Sequence, residues 1–93
     1  MTIRELCKTI DIHSDGILDI VASKPDDEDW YYTFGFDGLS LSQVVNNPTA
    51  RDTYFLDGDE RYFDCEVKDI ECSTYGHKPY LRIEVSVPNE WED

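Results

Sequence analysis

The strongest constraint on the fold is an alternation of apolar and polar residues late in the chain. Every second position is apolar in the series Leu81, Ile83, Val85 and Val87, and the positions between them are Arg82, Glu84 and Ser86. A period of two places one set of side chains on a buried face and the other set in water. This segment is therefore predicted to be a half-buried β strand.

The segment before it shows the same period with one interruption. Its apolar positions are Phe63, Cys65 and Val67 and then, one position out of phase, Ile70 and Cys72. The phase changes at Lys68-Asp69, which predicts a β bulge, because a bulge inserts one extra residue into a strand. Gly76 and Pro79 predict a connecting turn over residues 73–79. The two segments are thus predicted to form a long hairpin with an apolar inner face.

Two short helices are predicted ahead of the hairpin. Thr2 and Glu5 have the spacing of a capping box, and so do Ser40 and Gln43. The apolar residues that then fall on one helical face are Ile3, Leu6, Cys7 and Ile10 in the first helix, and Leu41, Val44 and Val45 in the second. Pro48 is predicted to end the second helix, since proline cannot continue the hydrogen-bonded ladder.

Two further strands are predicted between the helices. The residues that share one face are Leu18, Ile20 and Ala22 in the first strand, over residues 17–22, and Trp30, Tyr32, Phe34 and Phe36 in the second, over residues 30–36. Residues 23–29 contain Pro25 and an acidic run, and are predicted to be an exposed loop. A short strand over residues 53–56 and an acidic turn over residues 57–60 complete the series.

This order of elements predicts a single α+β domain over residues 1–93. We expect an antiparallel sheet of about four to five strands, because helices gathered on one face of such a sheet are typical of the class. The amino-terminal helix is expected to pack on one face of the sheet, and a second short helix completes the fold.

The charge balance excludes several classes of partner. Twenty-one acidic residues against eight basic ones give a net charge of −13. Direct binding to nucleic acid or to an anionic membrane is not expected, since both require lysine and arginine. Three cysteines cannot all pair within one chain, and there is no signal peptide or apolar run of transmembrane length. We therefore expect reduced thiols and a cytoplasmic location.

No metal site and no catalytic site is predicted. The cysteines and histidines lack the close spacing of structural zinc sites. The acidic turn at Asp57 lacks the EF-hand pattern, because Arg61 and Tyr62 stand at its fifth and sixth positions. There is no nucleophile motif and no phosphate-binding glycine loop. We expect no enzymatic activity and no cofactor, and the sequence leaves open whether a cation binds near Asp57.

The acidic residues supply the strongest functional pattern. Alternate side chains on a strand stand roughly 6.6 Å apart, a spacing comparable with that of neighbouring phosphates along one nucleic-acid strand. A rigid row of carboxylates can therefore occupy a groove lined by lysine and arginine. The other interpretation is that the acidic face is only solvated. The predicted partner-binding residues are Asp26, Asp27, Glu28, Asp29, Asp57, Asp59, Glu60, Asp64, Glu66, Asp69, Glu71 and Glu84, with Tyr75 and Tyr80 as apolar anchors.

Aromatic residues support a second hypothesis. Tyr31, Tyr75, Tyr80 and Trp91 are expected to be exposed, and exposed tyrosine and tryptophan are favoured at protein interfaces. The stripe that begins at Trp30 is instead predicted to be a core face. On this hypothesis the protein is an accessory or self-associating subunit that binds another chain through these aromatic residues. Monomer and homodimer both stay open.

In size, acidity and single-domain α+β pattern, the chain resembles the small acidic proteins of phages and mobile elements, the anti-CRISPR proteins in particular. Its opening, Met-Thr-Ile-Arg-Glu-Leu-Cys, is similar to the short amino-terminal helices of many such proteins. The resemblance implies a non-enzymatic inhibitor in the cytoplasm of a bacterial host. Several anti-CRISPR proteins mimic nucleic acid, so the implied partner is a basic nucleic-acid-binding protein such as a CRISPR effector nuclease.

Overall fold

The computed structural model describes residues 1–9, 16–46 and 59–91. The elements, in chain order, are α1 (Ile3–Leu6), β1 (Ile17–Lys24), β2 (Asp27–Asp37), α2 (Leu41–Asn46), a 3₁₀ helix (Asp59–Asp64), β3 (Glu66–Tyr75) and β4 (Lys78–Ser86). The strands form one four-stranded sheet in the order β2-β1-β4-β3. The predicted α+β class, the strand number and the two short helices are confirmed.

The sheet is mixed rather than wholly antiparallel. β1 pairs antiparallel with β2, and β3 pairs antiparallel with β4. β1 and β4 run parallel, with Ile20 opposite Ile83. A parallel pair needs a long connection between its strands. Here that connection contains β2, α2, the 3₁₀ helix and β3, so no local turn signal indicates the pairing.

The core lies between one face of the sheet and the helices. Its largest fully buried side chains are Phe63, Ile3, Leu18, Ile20, Leu41, Ile83, Val44, Val85 and Val87. The alternation predicted for β1 and β4 is therefore confirmed. β1 and β4 are also the two central strands. Their apolar residues therefore have a neighbouring strand on each side and pack against the helices.

Both capping boxes form as predicted. The Glu5 amide donates to Thr2 Oγ1 and the Thr2 amide donates to Glu5 Oε1, each at 3.2 Å. The Gln43 amide donates to Ser40 Oγ at 3.2 Å, and the Ser40 amide donates to Gln43 Oε1 at 2.9 Å. α1 nevertheless ends at Leu6. The predicted Ile10 position, the Asn47-Pro48 stop and the strand over residues 53–56 lie outside the described residues.

The predicted loop over residues 23–29 was wrong. β1 continues to Lys24 and β2 begins at Asp27, so only Pro25 and Asp26 form the turn. The register shifts after Ser23, which leaves residues 28–30 as an irregularity in β2. Charged residues can continue a strand here because β2 is an edge strand and its acidic side chains remain in water.

The β3–β4 hairpin contains the predicted bulge. Val67 and Asp69 pair with successive residues of β4, so Lys68 is the inserted residue. The turn is shorter than the predicted residues 73–79, because only Gly76 and His77 separate the strands. Gly76 has φ +64°, a left-handed conformation that glycine adopts without a Cβ clash and that two-residue hairpin turns require.

The start of the predicted hairpin was assigned to the wrong element. Phe63 lies in the 3₁₀ helix and Cys65 in the bend after it, while β3 begins at Glu66. Both side chains are buried, as predicted. Two apolar residues two positions apart satisfy a strand and a tight helical turn equally well, so this spacing did not distinguish between them.

Inward burial was predicted too widely at the two sheet edges. Ile70 is 40% exposed and Cys72 is exposed, although Ile70 stands opposite the buried Ile83. On β2 the aromatic stripe shares one face, but only Phe36 is buried, and Tyr32 is 43% exposed. Alternation therefore identified the face correctly but not the depth of burial.

The aromatic residues predicted to be exposed have two different outcomes. Tyr31 is 67% exposed, as expected. Trp91 is only half-buried rather than exposed, because its ring packs against the core beside Tyr62 and lies 4.6 Å from the Arg61 guanidinium carbon. Lys24 Nζ donates a hydrogen bond to the Trp91 carbonyl oxygen. These contacts make Trp91 part of the packed structure.

Candidate protein-binding surface

The face of the sheet opposite the helices, called the open face here, is built by alternate residues of all four strands. Residue-by-residue pairing aligns these side chains in rows that cross the sheet. The rows, from β2 to β3, are Tyr31-Ser23-Ser86-Glu66, Thr33-Val21-Glu84-Asp69, Gly35-Asp19-Arg82-Glu71 and Asp37-Ile17-Tyr80-Ser73. On the open face, predicted site residues from β3 and β4 therefore lie side by side.

Three predicted carboxylates stand together on β3. Glu66, Asp69 and Glu71 all lie on the open face. Glu66 and Asp69 are three residues apart, a separation that places side chains on opposite faces of a regular strand. The extra residue at Lys68 restores the phase and brings both carboxylates to the same side. The bulge thus aligns these carboxylates along the open face of β3.

Two of the open-face carboxylates are already neutralised within the protein. Glu84 lies 3.3 Å from Lys68 Nζ and 3.1 Å from the Arg82 guanidinium, and its side chain is 18% exposed. Glu66 Oε1 lies 2.5 Å from the amino group of Met1. A carboxylate held by such cations attracts a further basic group less strongly, so neither residue is a leading contact for a partner.

Asp69 and Glu71 differ from these two. Both are exposed at the edge of the sheet, and neither forms an ion pair with another residue of the described chain. Within the described chain, Lys68, Arg82 and Lys78 are each paired with other carboxylates. The negative charge of Asp69 and Glu71 is therefore available to a partner.

Asp64 does not belong to the open face. It ends the 3₁₀ helix and accepts from Arg4 through both oxygens, at 2.8 Å and 3.4 Å. This carboxylate holds the pKa of Arg4 above its usual range. Glu60 is half-buried in the same helix. Asp59 begins the helix, but its side chain lies outside the described residues, as does all of Asp57.

The acidic run of β2 lies at the other edge of the sheet. Asp26 accepts from Asn89 Nδ2 at 2.8 Å, and Asp27 accepts from the Asp29 amide at 3.2 Å. Glu28 and Asp29 are exposed. β2 and β3 are separated by three strand spacings, about 14 Å. The predicted site residues therefore form two acidic edges rather than one row.

Tyr80, which is predicted to be an apolar anchor, forms a polar contact within the protein. It is half-buried on β4, and its hydroxyl donates to Asp19 Oδ2 at 2.8 Å. This hydrogen bond, followed by burial, raises the pKa of the Tyr80 phenol. Tyr75 ends β3 opposite Lys78, but its side chain is outside the described residues.

A concave depression of about 610 Å³ occupies the middle of the open face. The residues that line its floor and walls include Asp19, Tyr31, Thr33, Tyr80, Arg82 and Glu84. Carboxylates and cations alternate in this depression, and the pairs Asp19–Tyr80 and Arg82–Glu84 satisfy each other. The arrangement gives the face a concave shape with mixed charge.

Sequence reasoning missed Asp19, Lys68 and Arg82 as parts of this surface. The outward position of Asp19 is visible in the sequence, because it lies between the inward residues Leu18 and Ile20. Its proximity to Tyr80 depends on the parallel pairing of β1 with β4. That pairing joins residues far apart in the chain, and no local pattern indicates it.

The thiols differ sharply in their surroundings. All three cysteines are free: Cys72 is exposed, Cys7 is half-buried, and Cys65 is buried. Burial raises the pKa of the Cys65 thiol, and the nearby Asp64 carboxylate raises it further. Within residues 1–9, 16–46 and 59–91, no three histidine, cysteine or acidic side chains are grouped closely enough to hold a metal ion.

Comparisons with protein-family models, with curated proteins and with solved structures find no match for the chain. No helix in the described ranges is both long and apolar enough to cross a membrane.

Proposed function

We propose that the protein is a non-enzymatic inhibitor that binds a basic nucleic-acid-handling protein through its acidic surface, in the manner of anti-CRISPR proteins that mimic nucleic acid. The partner class is a protein with a groove lined by lysine and arginine, and a CRISPR effector nuclease is the first candidate. The interaction involves no chemical step. It depends on the charge and spacing of exposed carboxylates on a rigid strand.

The exposed pair Asp69 and Glu71 carries the proposal. The pair stands on the open face of β3, and its separation of about 6.6 Å is set by the strand. The cations on the same face are held by Glu84. A partner's arginine or lysine therefore meets carboxylates whose charge is not offset by a neighbouring ion pair.

Two further features of the protein, the depression on the open face and the net charge, also favour a basic partner. The depression reaches β3 at Lys68, and on the side of β1 and β2 its lining contributes the carboxylates of Asp19, Asp27 and Glu28. The net charge of −13 attracts a basic partner from a distance. This long-range attraction mainly raises the association rate, and salt screens it.

The test is the binding of the purified protein to a guide-loaded CRISPR effector nuclease, measured with and without competing target DNA. We expect DNA and the protein to exclude each other, and the affinity to fall as salt rises. Asp69→Lys and Glu71→Lys should each weaken binding by about tenfold, because each replaces a favourable ion pair with a repulsion, a change of roughly 1–2 kcal/mol.

Glu90→Lys is the matched control. Glu90 is exposed in the turn after β4, outside β3, and undergoes the same change of charge. If Glu90→Lys weakens binding as much as Asp69→Lys does, only net charge matters and the β3 row does not bind the partner directly. If the unsubstituted protein binds no nucleic-acid-handling protein at low salt, the proposed function is rejected.

A second candidate function follows from the aromatic residues. Tyr31 and Tyr32 are 67% and 43% exposed on β2, which favours an accessory subunit that binds another protein chain through this strand. A binding partner that is retained equally by Asp69→Lys and Glu71→Lys, and released by Tyr31→Ala, supports this candidate over the first.

A further inference from the structure

The open face is low along its centre and raised along its two edge strands. On the central strands, near the β1–β2 turn, its floor consists of short side chains: Val21 is buried, and Ser23 and Ser86 are half-buried. The outward residues of the edge strands are exposed, as at Tyr31 and Asp69. The edge strands are about 14 Å apart, three strand spacings. An α helix with its side chains is about 10–12 Å across, so one helix fits lengthwise between them.

Exposed carboxylates stand on both sides of this floor. On the β2 side, Asp27 and Glu28 line the depression. On the β3 side, Asp69 and Glu71 stand on the open face. None of these four residues forms an ion pair with another residue in the described ranges, and Asp27 accepts from a backbone amide. The cations of β3 and β4 that lie between them are held by Glu84. A basic partner is therefore attracted from two sides of the floor.

We propose that the open face receives one basic α helix of the partner, which lies along the strands between β2 and β3 and directs cationic side chains to both edges. The inference rests on the proposed function, because it specifies how the basic partner is bound. Recognition helices of DNA-binding proteins lie in the major groove, which is about 12 Å wide and has phosphates along both sides. The open face offers such a helix a floor of similar width with carboxylates along both sides.

The width of the floor favours a helix over an extended segment. Neighbouring strands of a sheet are about 4.8 Å apart, so an extended segment covers only about a third of the 14 Å between the edges. Successive side chains of a helix point in different directions around its axis. A single helix therefore covers the floor and reaches both edges at once.

The two groups of carboxylates are staggered along the strands, and the stagger sets the spacing of the partner's cations. Asp27 stands opposite Lys24 on β1, whereas the midpoint of Asp69 and Glu71 is level with Ile20, four residues away. Four strand residues span about 13 Å. Nine helical residues rise about 13.5 Å and complete about two and a half turns, so their side chains point to opposite flanks. Seven residues complete about two turns and point to the same flank.

The binding of three alanine-based peptides, measured by isothermal titration calorimetry at low salt, tests the inference. Each peptide has about 18 residues, long enough for an isolated helix, and each contains two pairs of arginines. The pairs are nine residues apart in the first peptide, seven apart in the second, and nine apart in the third, which also has a central proline that breaks the helix. We expect the first peptide to bind about tenfold more tightly than the other two, because only it presents cations to both edges.

Ser23→Tyr tests the shape of the floor without a change of charge. The ring fills the place of the helix, so the first peptide should lose its advantage over the other two. Thr74→Tyr is the matched control, because Thr74 is exposed on β3 and lies on the other face of the sheet. Asp27→Lys should weaken the first peptide as much as Asp69→Lys does, since both flanks contribute. Urea midpoints near that of the unsubstituted protein confirm that each variant is folded.

Four results overturn the inference: no binding of the first peptide, equal affinity for all three peptides, an unchanged preference in Ser23→Tyr, or an equal loss in Thr74→Tyr. The proposed function survives each of them if the guide-loaded nuclease still binds and is weakened by Asp69→Lys. In the opposite case, where the first peptide is preferred but no nuclease binds, the helix site is supported and the proposed function is rejected.

Discussion

Ile70 and Ile83 offer a direct measurement of what sheet position contributes to stability. The two residues stand opposite each other across the β3–β4 ladder and share one face. Ile83 is fully buried on a central strand, and Ile70 is 40% exposed at the edge. Substitution of either by alanine removes the same three carbon atoms and the same β-branch. The comparison therefore isolates burial from strand propensity.

The expected losses differ by about 2 kcal/mol. At about 0.8 kcal/mol for each buried carbon, Ile83→Ala loses about 2.4 kcal/mol of transfer free energy. A residual cavity adds about 1 kcal/mol, for a total of about 3.5 kcal/mol. Ile70→Ala loses about 60% of the transfer term, roughly 1.4 kcal/mol, and leaves no cavity because solvent fills the space. A domain of this length has a total stability on the order of 5–14 kcal/mol.

Urea unfolding followed by circular dichroism measures both losses. With a slope of about 1–1.5 kcal/mol per molar urea, the midpoint of Ile83→Ala should lie about 1.5–2 M below that of Ile70→Ala. The slope itself should be the same in both variants. Equal midpoints would refute the reasoning, because they would mean that Ile70 is as deeply packed in solution as Ile83.

Three further outcomes are expected. In thiol labelling near neutral pH, Cys72 should react fastest and Cys65 slowest, and a Cys65 that reacts as fast as Cys72 in the folded protein would contradict its burial. Because the pKa of the Cys65 thiol is raised in the folded protein, its contribution to stability should be present below about pH 8.5 and lost as the pH rises through the folded-state pKa. Spectrophotometric titration of Tyr80 should show a raised phenol pKa that Asp19→Asn returns toward the ordinary value, and an unchanged titration would mean that the hydrogen bond is absent. Thr2→Ala should cost about 1 kcal/mol in urea unfolding, because it removes the hydroxyl that accepts from the Glu5 amide and donates to Glu5 Oε1. A loss below a few tenths of a kcal/mol would show that α1 is held by packing alone.

The carboxylates of β3 and β4 show which features of the site the sequence pattern predicts and which it does not. The phase change at Lys68-Asp69 predicted the bulge, and the bulge places Glu66 and Asp69 on one face. The pattern could not show which of these carboxylates is free. Glu84 was predicted to bind a partner like Asp69, yet Lys68 and Arg82 neutralise it. Pairing between charges depends on side-chain positions in space, which alternation along one strand does not specify.

The sequence likewise did not distinguish the edge strands of the sheet from its central strands. The stripe on β2 and the apolar positions of β3 have the same period as those of β1 and β4. The structure places β1 and β4 in the centre and leaves Tyr32 and Ile70 at the edges. Strand order is decided by which apolar faces pack together under the helices, and this is a property of the whole chain.

The sequence by itself determined the local features: both capping boxes, the bulge, the glycine turn, the inward face of each strand and the large negative charge. Each of these follows from residues only a few positions apart, whose backbone and side-chain chemistry acts within one element. Only the tertiary structure decided the parallel pairing of β1 with β4, the partners of the carboxylates, and the positions of β2 and β3 at the two edges of the sheet. Those features join residues distant in the chain, so they exist only once the core has formed.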